Sequence, residues 1–353
     1  MTTYNTIITD FLINTAKLPA DVAFWVEIVT VAAVYLGVFA LLGLFLVWME
    51  RRVAGFFQFR LGPNRRGPMG LFQTVADALK LVSKELTGTA EADKFLYTIA
   101  PYFVIVTALM SLAVLPFSME LQAFDINIGL FFITSVSSVA VIGIFLAGWA
   151  SNNKYSLIGG MRSGIQMISY ELSIGMVIVT MTTLTGTLQV SEIIEIQKDG
   201  WLIVQGHVPA LIGFMIFMIA GTAEANRTPF DLVEAESELG AGFHSEYSGM
   251  NFAYYFLAEF VNMFIISAVA VIIFFGGWLS PFGITEGIPY VGAFWFIIKT
   301  MGVIFLMMWF RWTFPRFRID QLLTLEWKYL IPINMVNIVI MALIVWLGLT
   351  ITF

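Results

Sequence analysis

The sequence predicts an all-α integral membrane protein: eight transmembrane helices, one amphipathic helix in the membrane interface, and a short helix in an acidic loop between the fifth and sixth crossings. Three observations lead there. Hydrophobic residues make up 59% of the 353 residues and charged residues 12%, with a mean hydropathy of +0.87, whereas soluble domains carry about 25% charged residues. Eight stretches reach the length of about 20 mostly apolar residues that a bilayer crossing needs: roughly 28–49, 96–116, 128–150, 164–187, 208–223, 250–279, 291–310 and 331–351. The cations are also unevenly placed. All but Lys17, Lys198 and Lys299 of the 18 lysines and arginines fall at the connections that follow crossings one, three, five and seven. The positive-inside rule puts those connections in the cytoplasm and both termini outside. The whole of 1–353 reads as one polytopic domain with two large inner loops, 50–95 and 224–249.

Residues 1–27 are moderately polar and are expected to include a short helix at the outer interface. A cleaved leader is not expected, because no basic segment precedes the first apolar run and Glu50-Arg51-Arg52 follows it. The inner loop after crossing one carries five arginines and three phenylalanines among Gly-Pro breaks. Its continuation, 69–86, places Leu71, Phe72, Val75, Leu79, Val82 and Leu86 on one face and Asp77, Lys80, Ser83 and Lys84 opposite. That is the pattern of a helix lying in the interface plane, as a lipid anchor or as a doorway for an amphiphilic ligand.

Crossings two and three carry no charge in their apolar spans. After them, Gly148 to Arg162 reads as a compact inner loop, and Glu171 lies about two turns inside crossing four. The outer loop 188–207 is acidic and carries no recognisable motif. Glu259 lies about two turns into crossing six, and Lys299 near the middle of crossing seven. Ionisable groups at such depth are functional candidates, and these three offer one another partners of opposite sign. Arg311 to Gln321 mixes arginines with aromatics and suits a soluble docking partner.

The densest polar feature is 224–246, where Glu224, Asp231, Glu234, Glu236, Glu238 and Glu246 accompany a single arginine, Arg227. Thr228 is placed to cap a helix beginning at Pro229. On that helix Glu234 and Glu238 share a face while Glu236 points away. Carboxylates this close, if shielded from water, hold protons more tightly than in solution, which makes a proton-exchanging site. A solvated acidic loop would carry the same composition.

With no cysteine and only His207 and His244, the chain ligates neither an iron–sulfur cluster nor a structural zinc by itself, so any redox centre must belong to a partner. No phosphate-binding glycine loop, no nucleophile with an adjacent base and no nucleic-acid signature is present in the sequence.

Several segments together resemble one family. Glu50-Arg51-Arg52 with Arg60-Leu-Gly-Pro-Asn64, Ala76 to Lys80, Gly148 to Asn152, Ser169-Tyr-Glu171, Ala223 to Tyr247, and Pro315 to Gln321 are similar to the quinone-chamber membrane subunit, the H subunit, of proton-pumping NADH:quinone oxidoreductase, respiratory complex I. The likeness runs from about residue 30 to near the end, and Ala223 to Tyr247 is its most specific part. His244, where an asparagine is common, Leu61, where a basic residue is frequent, and a longer N-terminus depart from mitochondrial relatives. The resemblance implies a bacterial inner-membrane subunit that joins the membrane arm to a hydrophilic arm, takes a quinone as substrate, and leaves FMN and iron–sulfur clusters to partner subunits. It implies that Arg51, Phe56, Arg60, Asp77, Lys80, Arg227 and Phe230 line or border the quinone path. Glu171, Glu224, Asp231, Glu234, Glu236, Glu238, Glu246, Glu259 and Lys299 would couple quinone reduction to proton movement. Two other classes remain open on the residues alone. One is the homologous membrane subunit of a hydrogenase or ferredoxin-linked complex. The other is an ion-coupled secondary transporter, against which stand the lack of an internal repeat and a polar island at the inner surface rather than at mid-membrane.

Overall fold

The computed structural model describes residues 19–119, 121–232, 236–281 and 290–349. Its helices are α1 (Ala20–Phe57), α2 (Phe72–Ser83), α3 (Lys94–Val114), α4 (Gly129–Ala150), α5 (Lys154–Thr185), α6 (Val190–Ile196), α7 (Leu202–Gln205), α8 (His207–Glu224), α9 (Glu236–Leu239), α10 (Gly249–Phe275), α11 (Val291–Thr313), α12 (Ile319–Thr324) and α13 (Ile331–Trp346). A π-helical turn, Leu325–Leu330, joins α12 to α13, so Ile319–Trp346 forms one crossing. Eight helical segments are long and apolar enough to span a bilayer, and no strand occurs among the described residues.

The boundaries differ from the sequence reading in instructive ways. α1 runs eight residues past 49 and carries Glu50, Arg51 and Arg52 on a continuous helix, because no Gly-Pro break occurs before Gly62-Pro63. The expected loop Gly148 to Arg162 is almost wholly helical: α4 continues to Ala150, and Asn153 caps α5 by accepting from the Tyr155 amide. Glu171 therefore lies about five turns into α5, not two. Close approach of α4 and α5 depends on glycine, since a Cβ at Gly148 would lie 2.7 Å from the Ser156 carbonyl oxygen. The expected helix at the outer interface before residue 19 falls outside the described residues.

α10 is the hub. Of its most apolar window, 83% is buried, against 11% for α1. A helix apolar all round belongs in the interior, and Ala258, Ser267, Ala268 and Ala270 let neighbours approach it closely. The faces of α1, α11 and α13 that carry exposed Val, Ile, Leu and Phe are left for lipid or other chains. α2 behaves as its pattern predicts, with Phe72, Val75, Leu79 and Val82 exposed together along one side.

The inter-helix connections gather into two sets. At one end Thr87 bonds Ser248, Asn152 bonds Glu91, Asn153 bonds Glu246, and Phe317 bonds Pro229. At the other, Asp125 accepts from Gln189 and Ser191. The first set joins the arginine-rich connections.

Candidate functional site

The acidic loop does not begin with a helix at Pro229. After α8 the chain reverses: the Arg227 amide donates back to Thr222 O at 3.2 Å, the Phe230 amide donates to Arg227 O at 2.9 Å, and the Thr228–Pro229 peptide is cis. A residue before proline disfavours helical backbone. The reversal also buries Phe230, whose ring stacks on Phe317 at 5.5 Å and meets Tyr170 at 5.6 Å. Long-range burial outweighs the local capping signal, and the loop's short helix is instead α9. Glu234, with its expected pairing to Glu238, lies outside the described residues, as does the side chain of Glu236.

Directly behind the reversal is a buried ionic centre. The Arg227 guanidinium lies 3.8 Å from Glu50 and 3.6 Å from Glu259, and stacks 4.2 Å above the Phe260 ring. Arg311 pairs with the other oxygen of Glu50. Two cations and two carboxylates from α1, α8's exit, α10 and α11 thus meet at one point, in a setting where losing one partner leaves a buried charge uncompensated. Beside it a cavity of about 10 Å³, roughly the space for one water, is lined by Glu224, Glu259, Asn226, Asn262 and Tyr255 among others. The Ser137 hydroxyl donates to Glu224. Glu171 itself accepts from Ser138 of α4.

The other described loop carboxylates have partners of their own. Asp231 is buried and lies 3.3 Å from Arg316. Glu246 accepts from Asn153 at 2.6 Å, while its carbonyl accepts from the Tyr97 hydroxyl at 2.7 Å and Tyr97 stacks on Tyr247 at 4.1 Å. Glu238 is exposed, and its bond to Arg162 at 2.7 Å holds the carboxyl below its usual range. His244 is buried against Phe243 and Phe252; burial pushes its imidazole down from 6.5 to about 4, so the ring is neutral at physiological pH.

The residues expected on the quinone path fall into two groups. Arg51, Phe56, Arg60, Asp77 and Lys80 form an exposed rim at the α1–α2 junction, where Arg51 pairs with Asp77 and Arg60 with Gln58. Arg227 and Phe230 are buried inside. Glu171, Glu259 and Lys299, which the sequence offers to one another as candidate partners, have other partners here: Ser138 for Glu171 and Arg227 for Glu259. Lys299 Nζ donates to the carbonyls of Phe275, Gly277 and Leu279 at 2.7, 3.1 and 2.6 Å, closing the C-terminus of α10, where carbonyls lack helical partners. The sequence offers Arg311 only as part of a docking surface and Glu50 only as part of a family motif, and it gives Glu326 no role. Glu50 and Arg311 sit where apolar runs end, which reads as ordinary interface charge. Glu326 was hidden by placing the start of the last crossing too late.

Eight spanning helices, one of them (α10) buried among its neighbours, with an ionic centre where α1, α10, α11 and the exit of α8 meet, define a polytopic membrane protein of the kind that works inside a larger assembly. A family model described as NADH dehydrogenase matches residues 29–342. The H subunit of NADH-quinone oxidoreductase from Bacteroides fragilis is 53% identical over 341 residues, covering 95% of each chain. Its counterpart in Bacteroides thetaiotaomicron is 51% identical over 337 residues and 94% of each chain. That of Brevibacillus brevis is 49% identical over 299 residues, covering 85% of this chain and 87% of its own. The chain belongs to this NADH dehydrogenase family of membrane proteins, the H subunits of NADH-quinone oxidoreductase.

Proposed function

We propose that this chain forms much of the quinone chamber of a proton-translocating NADH:quinone oxidoreductase and passes the consequence of quinone reduction to proton-holding carboxyls inside the membrane. The observation that carries the reading is the buried Glu50–Arg227–Glu259–Arg311 centre, set between an exposed rim suited to an amphiphile and a cavity lined by Glu224 and Glu259. Quinone enters from lipid past the apolar side of α2, and Arg51, Asp77 and the Phe56 ring guide its polar head. Electrons arrive from an iron–sulfur cluster of a docked hydrophilic subunit. The arginine-rich connections, Arg316 and Arg318 included, face the cytoplasm of a bacterial inner membrane and receive that subunit.

Reduction of a quinone to a quinol consumes protons as well as electrons. Charge arriving near Arg227 changes how strongly it holds Glu259, and closely spaced carboxyls titrate as a set, so protons shift among Glu259, Glu224 and Glu171. Asp231, held by Arg316, and Glu246, held by Asn153, position the loop over that set, and Glu234, Glu236 and Glu238 take part in the same coupling. Lys299 contributes at the far end of α10.

The test is Glu224→Gln with Glu259→Gln in membranes carrying the complete complex. Assembly is checked on a native gel, and quinone reduction and proton translocation are measured together. Loss of translocation in an assembled complex is expected. Normal turnover with normal translocation sinks the coupling role, and impaired assembly alone reduces the carboxyls to a scaffold.

A further inference from the structure

The inward stripe of the last crossing is Leu322, Glu326, Leu330, Asn334, Asn337 and Met341, a helical spacing with every member buried. Half of it is polar, although Ile333, Val336 and Val339 on the same helix are exposed and apolar. The stripe meets Tyr170 and Ser173 of α5, which follow Gln166 at i+4 and i+7 on the same helix. Ser173 Oγ donates to Glu326 Oε1, Asn334 Nδ2 donates to Ser173 O at 3.3 Å, and Tyr170 donates to Leu322 O at 3.3 Å. Asn337 Nδ2 donates across to Pro209 O at 3.0 Å. At its inner end the seam joins the acidic loop, where Gln166 Nε2 donates to Ala223 O at 2.7 Å and to Asn226 at 3.2 Å.

This seam is short of donors. Glu326 Oε2 and the amide oxygens of Gln166, Asn334 and Asn337 are buried and accept no hydrogen bond among the described residues. Glu326 is 0% exposed and makes no ion pair among them. An ionised carboxylate there would add an uncompensated buried charge and one more acceptor, whereas a carboxylic acid supplies an O–H donor. The carboxyl also sits on the π-helical turn, an irregularity frequent at functional sites, just before Pro332 interrupts the helix's hydrogen bonding. Other titratable groups on the packed helices face elsewhere, apart from Tyr170. Glu171 turns to Ser138, Glu224 lines the cavity with Glu259, and His207 bonds Leu349 O at the far end.

We propose that Glu326 is a proton-holding carboxylic acid at the end of a polar branch. The branch leaves the acidic loop at Gln166 and runs between α5 and the last crossing, apart from the Glu171–Glu224–Glu259 set. It provides a second place to store a proton: the Glu326 carboxyl releases it toward a carboxylate of the acidic-loop set, which takes it up, while the Ser173 hydroxyl steadies the carboxylate left behind. The protonation follows from the seam alone; its use during turnover rests on the proposed function.

The experiment takes the purified complete complex with Glu326→Gln and Glu326→Asp. Infrared spectra in H2O and D2O read the protonation, and protons moved per quinone reduced in sealed vesicles read its use. The Gln variant, a shape-match for the neutral acid, is expected to assemble normally. The wild-type-minus-Gln spectrum then shows a carboxylic C=O band that shifts in D2O, the proton ratio falls by at least half, and Asp restores part of it. A carboxylate band in that spectrum, or assembly with Asp but not with Gln, overturns the proposal. An unchanged proton ratio and pH profile in the Gln variant also overturns it, leaving Glu326 as a neutral pin between helices. A wild-type complex that reduces no quinone would sink the functional reading instead, and the infrared band would still decide the protonation.

Discussion

The buried centre around Arg227 and the rim around Arg51 use the same residue types to opposite effect. Each pairs an arginine with a carboxylate on or beside α1. Arg227 and Glu50 keep 7% and 13% of their side-chain exposure, while Arg51 and Asp77 keep 42% and 36%. In the interior a broken pair leaves a charge with no solvent to receive it; at the rim, water and salt replace the missing partner within a Debye length of about 10 Å at 0.1 M. The centre is therefore committed to one arrangement, and the rim is free to exchange its partner for a ligand. A protein that admits an amphiphile and answers to it needs both.

The largest effect expected from breaking this contrast is at Arg227. Arg227→Ala abandons Glu50 and Glu259 together and removes the guanidinium from the Phe260 ring, which should cost about 3–5 kcal/mol. Thermal unfolding of the detergent-solubilised chain and the yield of assembled complex would report it. Arg227→Lys should recover only part, since a point charge replaces a planar fork that spans two carboxylates. Equal stability of the Ala variant and the wild type would show that the centre is not closed to water.

His244 offers a smaller effect with a defined pH dependence. Unfolded, the ring takes a proton below about 6.5; folded, burial delays protonation to about 4. Between those values the unfolded state binds more protons, so stability falls as pH falls through that window, by about 3 kcal/mol at its acid end. His244→Asn should flatten the slope. A profile that stays steep in the variant would show that His244 is not the source of the pH dependence.

How much of this was legible beforehand follows the same division between local and long-range causes. Eight crossings and the amphipathic pattern of α2 are written in hydropathy within single segments, and both reappear in the helices. The centre is not, because Glu50 and Arg227 are far apart in the chain and meet only once α10 has drawn α1 and α8's exit together. The reversal at Arg227 was misread for the same reason. Thr228-Pro229 with a following Asp231 is a fair local signal for a helix start, and only the burial of Phe230 between Tyr170 and Phe317 overrides it. Glu326 is legible in principle from its four-residue spacing with Leu322, Leu330 and Asn334, because the last crossing begins at Ile319 rather than at 331.

The smallest expected effect on stability is at the rim, and it sharpens the contrast most. Asp77→Asn removes one partner of an exposed pair on α2, whose Gln73 side chain also donates to Asp77 at 3.1 Å and remains able to bond the amide. An exposed pair contributes at most about 1 kcal/mol, less after salt screening, so assembly and unfolding should match the wild type. Its place beside the apolar side of α2 predicts a different readout. With the Arg51 guanidinium released, quinone should bind less selectively at the mouth, raising KM while kcat holds, the pattern of a group that binds ground state and transition state alike. Added salt should narrow the difference between variant and wild type. If kcat falls instead with KM unchanged, Asp77 acts on the chemical step rather than on quinone access, and the rim would have to be grouped functionally with the buried centre despite its exposure.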